Sequence, residues 1–161
     1  MNYRPKIIAR EELRAWRDSY RATGKTLVVT NGCFDILHIG HVTYLEAARQ
    51  RGDALLVGVN GDDGVRLLKG SGRPVNTQED RAGMLAALAC VDFVSVFQEV
   101  GATVFLEIAR PDIYVKGGDY TVETIPQDER RMVESHGGKI VFIPFVPGKS
   151  TTALIQKIAR L

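Results

Sequence analysis

A chain of 161 residues with 45% hydrophobic side chains, and 21 Lys+Arg against 19 Asp+Glu, is composed for one soluble globular domain that buries its own core. The net charge of +2, with no block of basic residues, argues against nucleic-acid binding by charge. No apolar run nears the ~20 residues of a membrane span, the N-terminal "MNYRPKIIAREELRAW" lacks a signal-peptide core, and Cys33 and Cys90 lack metal-site spacing. Reduced thiols and a cytoplasmic location are the expectation.

The first predicted element is a helix around residues 11–22, with Leu13, Trp16 and Tyr20 facing inward. Strand "TLVVT" (26–30) follows, then helix "HVTYLEAARQRG", with Val42, Leu45 and Ala48 on one face and Gly52 as its C-cap. Strand "ALLVGVN" (54–60) opens into "NGDDGVRLLKGSGRPVN", which reads as a loop. "TQEDRAGMLAALA" has Thr77 and Asp80 at capping-box spacing and presents Met84, Leu85 and Leu88. Strand "DFVSVF" (92–97), a helix over 102–109 and strand "DIYVK" (112–116) come next. Helix "QDERRMVESHGG" stops at Gly137; strand "KIVFIPF" (139–145) and helix "STTALIQKIARL", with Leu154, Ile155 and Ile158 on its apolar face, complete the chain.

Strands alternating with helices predict an α/β fold, a Rossmann-like three-layer α/β/α arrangement around a five-stranded, mostly parallel sheet. The strands lack clean period-2 polarity, as expected when both sheet faces are covered. One domain over 1–161 is expected, with 1–24 a short N-terminal helical extension. In such sheets ligands bind beyond the carboxyl ends of the strands, so the loops that follow the strands should share one side.

The most distinctive of these loops is "NGCFDILHIGH" (31–41), which holds two of the chain's three histidines. Gly32 permits a tight turn and close approach to a ligand. The N–H groups near Cys33 and Phe34 can then face phosphate oxygens. The helix beginning near Gly40 adds its dipole and free N–H groups, and His38 and His41 add ring donors. Such a site neutralises charge on a phosphoryl group and lacks a nucleophile; Cys33 has no evident partner base. Neither the GxGxxG nor the GxxxxGK[ST] fingerprint is present. On the residues alone, the histidines also fit a metal pair, though without a spaced third ligand, or structural caps.

Other loops supply candidates with plain alternatives. Lys69 is a mobile point charge for a phosphate or a solvated lysine. Arg73 and Arg81 are acceptor-phosphate clamps or surface residues. "KGGDY" (116–120) either lays Lys116 and Gly117 against a base or ribose and aims Asp119 at a hydroxyl, or is a tight turn. Ser150, Thr151 and Thr152 cap the last helix and can offer hydroxyls to a phosphate at its N-terminus.

"GCFDILHIGH" resembles the GxFDxxHxGH signature of the nucleotidyltransferase superfamily, which includes cytidylyltransferases and adenylyltransferases. The resemblance implies that an acceptor phosphate attacks ATP or CTP and releases pyrophosphate. It implies His38, His41 and Lys69 as catalytic residues. It implies nucleotide contacts at Asn31, Gly32, Cys33, Phe34, Gly40, His41, Lys116, Gly117, Ser150, Thr151 and Thr152. Asp35, Lys69, Arg73, Arg81 and Asp119 fall on the acceptor side, Asp35 ordering its loop rather than moving a proton. Mg²⁺ held mainly by phosphates and water is implied, and a homodimer is common in the superfamily.

A longer set of segments, including "LKGSGRPVN", "EDRAGMLAAL", "RPDIYVKGGDY" and "GKSTTALIQKI", is similar to the adenylyltransferases of ADP-heptose synthesis over roughly residues 24–161. That likeness implies AMP transfer from ATP to D-glycero-D-manno-heptose 1-phosphate, by a stand-alone version with no room for the kinase often fused to it. "QEVGATVFLEIARPD" and "PQDERRMVESHGG" depart from the family's usual third loop and following segment, which bears on the acceptor pocket. An alcohol-phosphate cytidylyltransferase, a more distant FAD synthetase and a non-catalytic nucleotide-binding module are the alternatives.

Overall fold

A computed structural model describes residues 2–118, 120–144 and 148–161. The elements run α1 (Leu13–Ala22), β1 (Leu27–Gly32), α2 (Ile39–Arg49), β2 (Ala54–Asn60), α3 (Asp62–Lys69), α4 (Gln78–Ala87), β3 (Phe93–Phe97), α5 (Thr103–Ala109), β4 (Ile113–Gly117), α6 (Gln127–Ser135), β5 (Lys139–Ile143) and α7 (Thr151–Ile158). The strands form one sheet in the order β3-β2-β1-β4-β5, every neighbouring pair parallel. The expected three-layer α/β fold is therefore present, with the sheet wholly parallel among the described residues.

Alternate residues of each strand feed two cores. Leu27 and Val29 of β1, Leu56 and Tyr114 pack under Leu13 of α1, Phe105 and Leu106 of α5, and Val133 of α6. Val28, Leu55, Val57 and Val115 pack under Leu45 and Ala48 of α2 and Leu85 and Ala86 of α4. Both sides of each strand must therefore be apolar, which erases the period-2 signal in the sequence. Connections from β1 through β2 to β3 run to one side, and β4 returns to pair with the other side of β1. The strand order thus reverses between β1 and β4, and a crevice opens there at the carboxyl edge.

Several local expectations are corrected. The segment read as a loop after β2 contains helix α3, whose Asp62 and Asp63 sit in its first turn where the dipole favours them. Its pattern misleads because Leu67 and Leu68 are exposed while Gly64 and Val65 are buried. Helix α2 ends at Arg49, with Gln50 rather than Gly52 as its C-cap. Gly52 serves close packing instead: a Cβ there would sit 2.8 Å from Val28 Cγ2. Met84 faces solvent, and α4 buries Arg81, Ala82, Leu85 and Ala86. Thr77 does cap α4, accepting the Asp80 N–H at 3.2 Å, and Gly137 at φ +79° follows the end of α6. Near the N-terminus a 3₁₀ turn at Arg4–Lys6 leads to a parallel bridge between Ile7 and Val94, neither legible beforehand. Strand β5 ends at Ile143, and Phe145, expected within it, lies outside the described residues.

Candidate active site

A cavity of about 650 Å³ occupies the crevice at the strand tips. One wall is the turn between β1 and α2. After Gly32, Phe34 adopts φ +46°, and a Cβ on Gly32 would lie 2.9 Å from the Phe34 ring, so glycine is what lets this turn close. His38 sits in extended backbone just before α2. Its N–H donates to His41 Nδ1 at 3.4 Å, which leaves His41 Nε2 as the protonated, donating nitrogen of the neutral ring. The two imidazoles stack with centroids 3.9 Å apart, and Phe34 meets His41 edge-on. Burial, and then the neighbouring His38, push His41 down to about 4. Burial and Lys149 also lower His38. At neutral pH both rings are neutral donors rather than cations.

The start of α7 faces them. Ser150 Oγ caps α7 by accepting the Ala153 N–H at 3.1 Å, and Thr151 Oγ1 donates to the Ile36 carbonyl at 3.3 Å. A Cβ on Gly40 would touch Lys149 Cβ at 3.1 Å, so α2 and α7 start side by side at the cavity. Two helix N-termini, hydroxyls and one lysine make a strongly anion-favouring corner. Thr152 lines the same corner.

Asp35 is 1% exposed. Its Oδ1 accepts the N–H groups of Val75 (2.8 Å) and Asn76 (3.0 Å), and its Oδ2 pairs with Arg73 Nε. Burial would raise this carboxyl, but the Asn76 N–H, Arg73 and the Val75 N–H outweigh it and hold it below the usual range. Asp35 is thus a permanent carboxylate that pins residues 73–76 to the turn and sets Arg73 in the cavity wall. Lys69, the last residue of α3, is exposed beside it and makes no ion pair among the described residues.

Two expected roles are corrected. Arg81 is wholly buried and does not line the cavity. Its guanidinium is used by the carbonyls of Cys33 and Asn76 and by Asp62 at 2.8 Å, so it braces the turn and cannot clamp a substrate. Lys116 lines the cavity, yet its ammonium is not free for a nucleotide. It donates to Glu129 Oε2 (2.6 Å), Tyr114 Oη (2.7 Å) and Asn31 Oδ1 (3.2 Å), which uses all three of its N–H bonds. Burial, and then Glu129, raise the Tyr114 hydroxyl, so it stays a neutral member of this network. Gly117 lies over Tyr44, where a Cβ would be 2.8 Å from the ring. Cys33 lines the cavity with its thiol raised by burial, and Asp119 lies outside the described residues.

The structure therefore gathers Asn31, Gly32, Cys33, Phe34, Asp35, His38, Gly40, His41, Lys69, Arg73, Lys116, Gly117, Ser150, Thr151 and Thr152 around one cavity. It adds Tyr44, Asn60, Glu129 and Lys149, which sequence reading passed over. Asn60 carried a signal, as a polar residue closing an apolar strand at its carboxyl end. Glu129 carried none, since it is one of three acidic residues on a mostly polar helix.

A parallel sheet with neutral imidazoles and two helix N-termini at its switch point defines an α/β protein with an anion-favouring site at its strand tips. The chain belongs to the cytidylyltransferase-like family, whose model matches residues 29–157. It is 49% identical over 158 residues to the bifunctional protein HldE of Syntrophotalea carbinolica, covering 98% of this chain and 32% of that protein. It is 50% identical over 140 residues to HldE of Geobacter sulfurreducens, covering 87% of this chain and 28% of that one. The chain spans about a third of the length of these curated relatives. Among solved structures, a lipopolysaccharide core biosynthesis protein from Thermoplasma volcanium superposes with a TM-score of 0.64 at 28% identity, over 76% of this chain and 99% of that one.

Proposed function

We propose that the chain transfers AMP from ATP to D-glycero-D-manno-heptose 1-phosphate, giving ADP-heptose and pyrophosphate for a heptose-containing surface glycan. Support comes from near-50% identity to HldE proteins over almost the whole chain, together with the resemblance of its motif segments to adenylyltransferases of ADP-heptose synthesis. The observation that carries the phosphate chemistry is the meeting of His38 and His41 with the capped start of α7 across one cavity.

An oxygen of the sugar phosphate attacks the α-phosphorus of ATP in line. A new P–O bond forms as the bond to the pyrophosphate oxygen breaks, and pyrophosphate leaves with that electron pair. An ionised phosphate is already a nucleophile, so no covalent enzyme intermediate is required. In this reading His41 Nε2–H and His38 donate to the phosphate oxygens, and Lys69 and Arg73 neutralise the acceptor phosphate and the reacting centre. The α2 and α7 N-termini, with Ser150, Thr151 and Thr152, hold the β- and γ-phosphates. The backbone from Asn31 to Phe34, together with Gly40 and Gly117, lies along the nucleotide. Asp119 contributes an acceptor contact on sequence grounds alone.

Mg²⁺ travels with the triphosphate as part of the substrate. Among the described residues no three His, Cys, Asp or Glu side chains gather as a metal-ligand group, and Asp35 and Glu129 are already engaged by donors. A cytoplasmic setting follows from the ATP requirement, and a homodimer is the expected assembly. No described helix is long and apolar enough to cross a membrane.

Pyrophosphate release, measured with ATP or CTP against heptose 1-phosphate or glycerol 3-phosphate, tests the proposal. Release with ATP and heptose 1-phosphate alone, with ADP-heptose found by mass spectrometry, is expected. Preference for CTP with glycerol 3-phosphate would establish the alcohol-phosphate reading. ATP binding without turnover would establish a binding module.

A further inference from the structure

The wall of the cavity away from the histidines holds three polar side chains that the phosphate chemistry leaves unused. Asn60 is 3%, Glu129 5% and Lys116 9% exposed, and all three line the cavity. Lys116 and Glu129 satisfy each other, and among the described residues none of the three has a fully buried polar atom without a partner, so what is left unpartnered opens to the cavity.

Asn60 ends β2. Its Nδ2 donates to the Val100 carbonyl at 3.2 Å, which fixes the amide's orientation. Its Oδ1 then stands without a partner among the described residues. Asn31, next to last in β1 on the neighbouring strand, is locked the opposite way round. Its Oδ1 accepts from Lys116 at 3.2 Å across the β1/β4 switch point, and Tyr114 Oη lies 2.6 Å from the same oxygen. Its Nδ2 group therefore remains unpartnered among the described residues. Glu129, held by Lys116 and by the Ala102 N–H at 3.3 Å, keeps lone pairs to spare.

The wall thus offers an oriented acceptor, an oriented donor and a carboxylate. A second phosphate does not fit it: Lys116 is neutralised by Glu129, and the free oxygens repel anions. A hydroxyl, which donates and accepts at once, suits both amides. We propose that Asn60 and Asn31 form a hydroxyl-reading subsite that selects a polyhydroxylated sugar as the acceptor, with Lys116 and Glu129 as the positioning residues behind it. This deepens the heptose-phosphate reading and rests on it. The physical consequence is selectivity: a site built around a substrate hydroxyl rejects the analogue lacking it, because its own buried groups go unpaired.

The test pairs enzyme variants with deoxy substrates. Wild-type enzyme and Asn60→Leu, close in shape, are assayed with heptose 1-phosphate and with analogues deoxygenated singly around the ring and side chain. At least one deoxy analogue should lose about 10- to 100-fold in kcat/KM with wild type. That particular penalty should vanish in Asn60→Leu, while the KM for ATP stays within about twofold. Asn60→Ser serves the same comparison if the leucine variant does not fold. A merely structural Asn60 would weaken all acceptors alike and leave every deoxy penalty in place, which overturns the subsite while leaving the heptose-phosphate reading intact. Absence of turnover with every sugar 1-phosphate overturns both.

Discussion

Replacing His41 by asparagine probes whether an uncharged ring donor stabilises the reacting phosphates. In the folded chain only one imidazole nitrogen is available to substrate, because Nδ1 receives the His38 N–H. The substitution therefore removes one donor, and loss of one oxyanion-type donor costs about 2.7–4 kcal/mol, or 10²- to 10³-fold in kcat. Asparagine keeps an oxygen able to accept from His38, so the first turn of α2 should survive with at most ~1 kcal/mol of lost stability. Ground-state contacts from α7 and Lys69 remain, so the KM for ATP should rise less than about fivefold. A pyrophosphate-coupled assay at saturating ATP and heptose 1-phosphate, beside a urea melt, measures all three quantities. A kcat within about threefold of wild type would remove His41 from transition-state stabilisation and refute the mechanism.

Three further outcomes are expected. His41 titrates near 4 when folded against about 6.5 when unfolded, so the unfolded chain binds more protons between those values; stability should fall as pH drops from ~6.5 towards ~4 and stay flat above. The partly exposed ring limits that loss to on the order of 1–2 kcal/mol, read from urea melts, and His41→Asn should flatten the profile. Glu129→Leu strands the Lys116 ammonium in a buried site and should cost about 3–5 kcal/mol, while Lys116→Met combined with Glu129→Leu should recover most of it; a double-variant loss equal to the sum of the two single-variant losses would show that the pair is uncoupled. Asp35→Ala removes the acceptor of three donors, which should cost about 2–4 kcal/mol and raise the acceptor KM by releasing Arg73, whereas an unchanged melt would deny it the loop-pinning role.

The histidine turn was legible because short-range geometry builds it: a glycine, a helix start and two imidazoles lie within eleven consecutive residues. The hydroxyl-capped start of α7 was legible for the same reason. Arg81 and Lys116 misled because a basic residue in the first turn of a helix or at the end of a strand looks the same whether it meets solvent, substrate or a buried carboxylate. Helix α3 stayed hidden because it is only 8 residues long, with Gly61 before it, Gly64 within it and Gly70 after it, the punctuation of a loop.

By itself, the sequence determined the alternation of strands and helices and the phosphate-binding turn, since both depend on residues close along the chain. Only the tertiary structure decided which polar groups reach the cavity. Asn31, Tyr114, Lys116 and Glu129 meet through hydrogen bonds spanning up to 85 residues of chain, and Asn60 reaches the Val100 carbonyl, where the order of strands in the sheet, and no local pattern, chooses the partners.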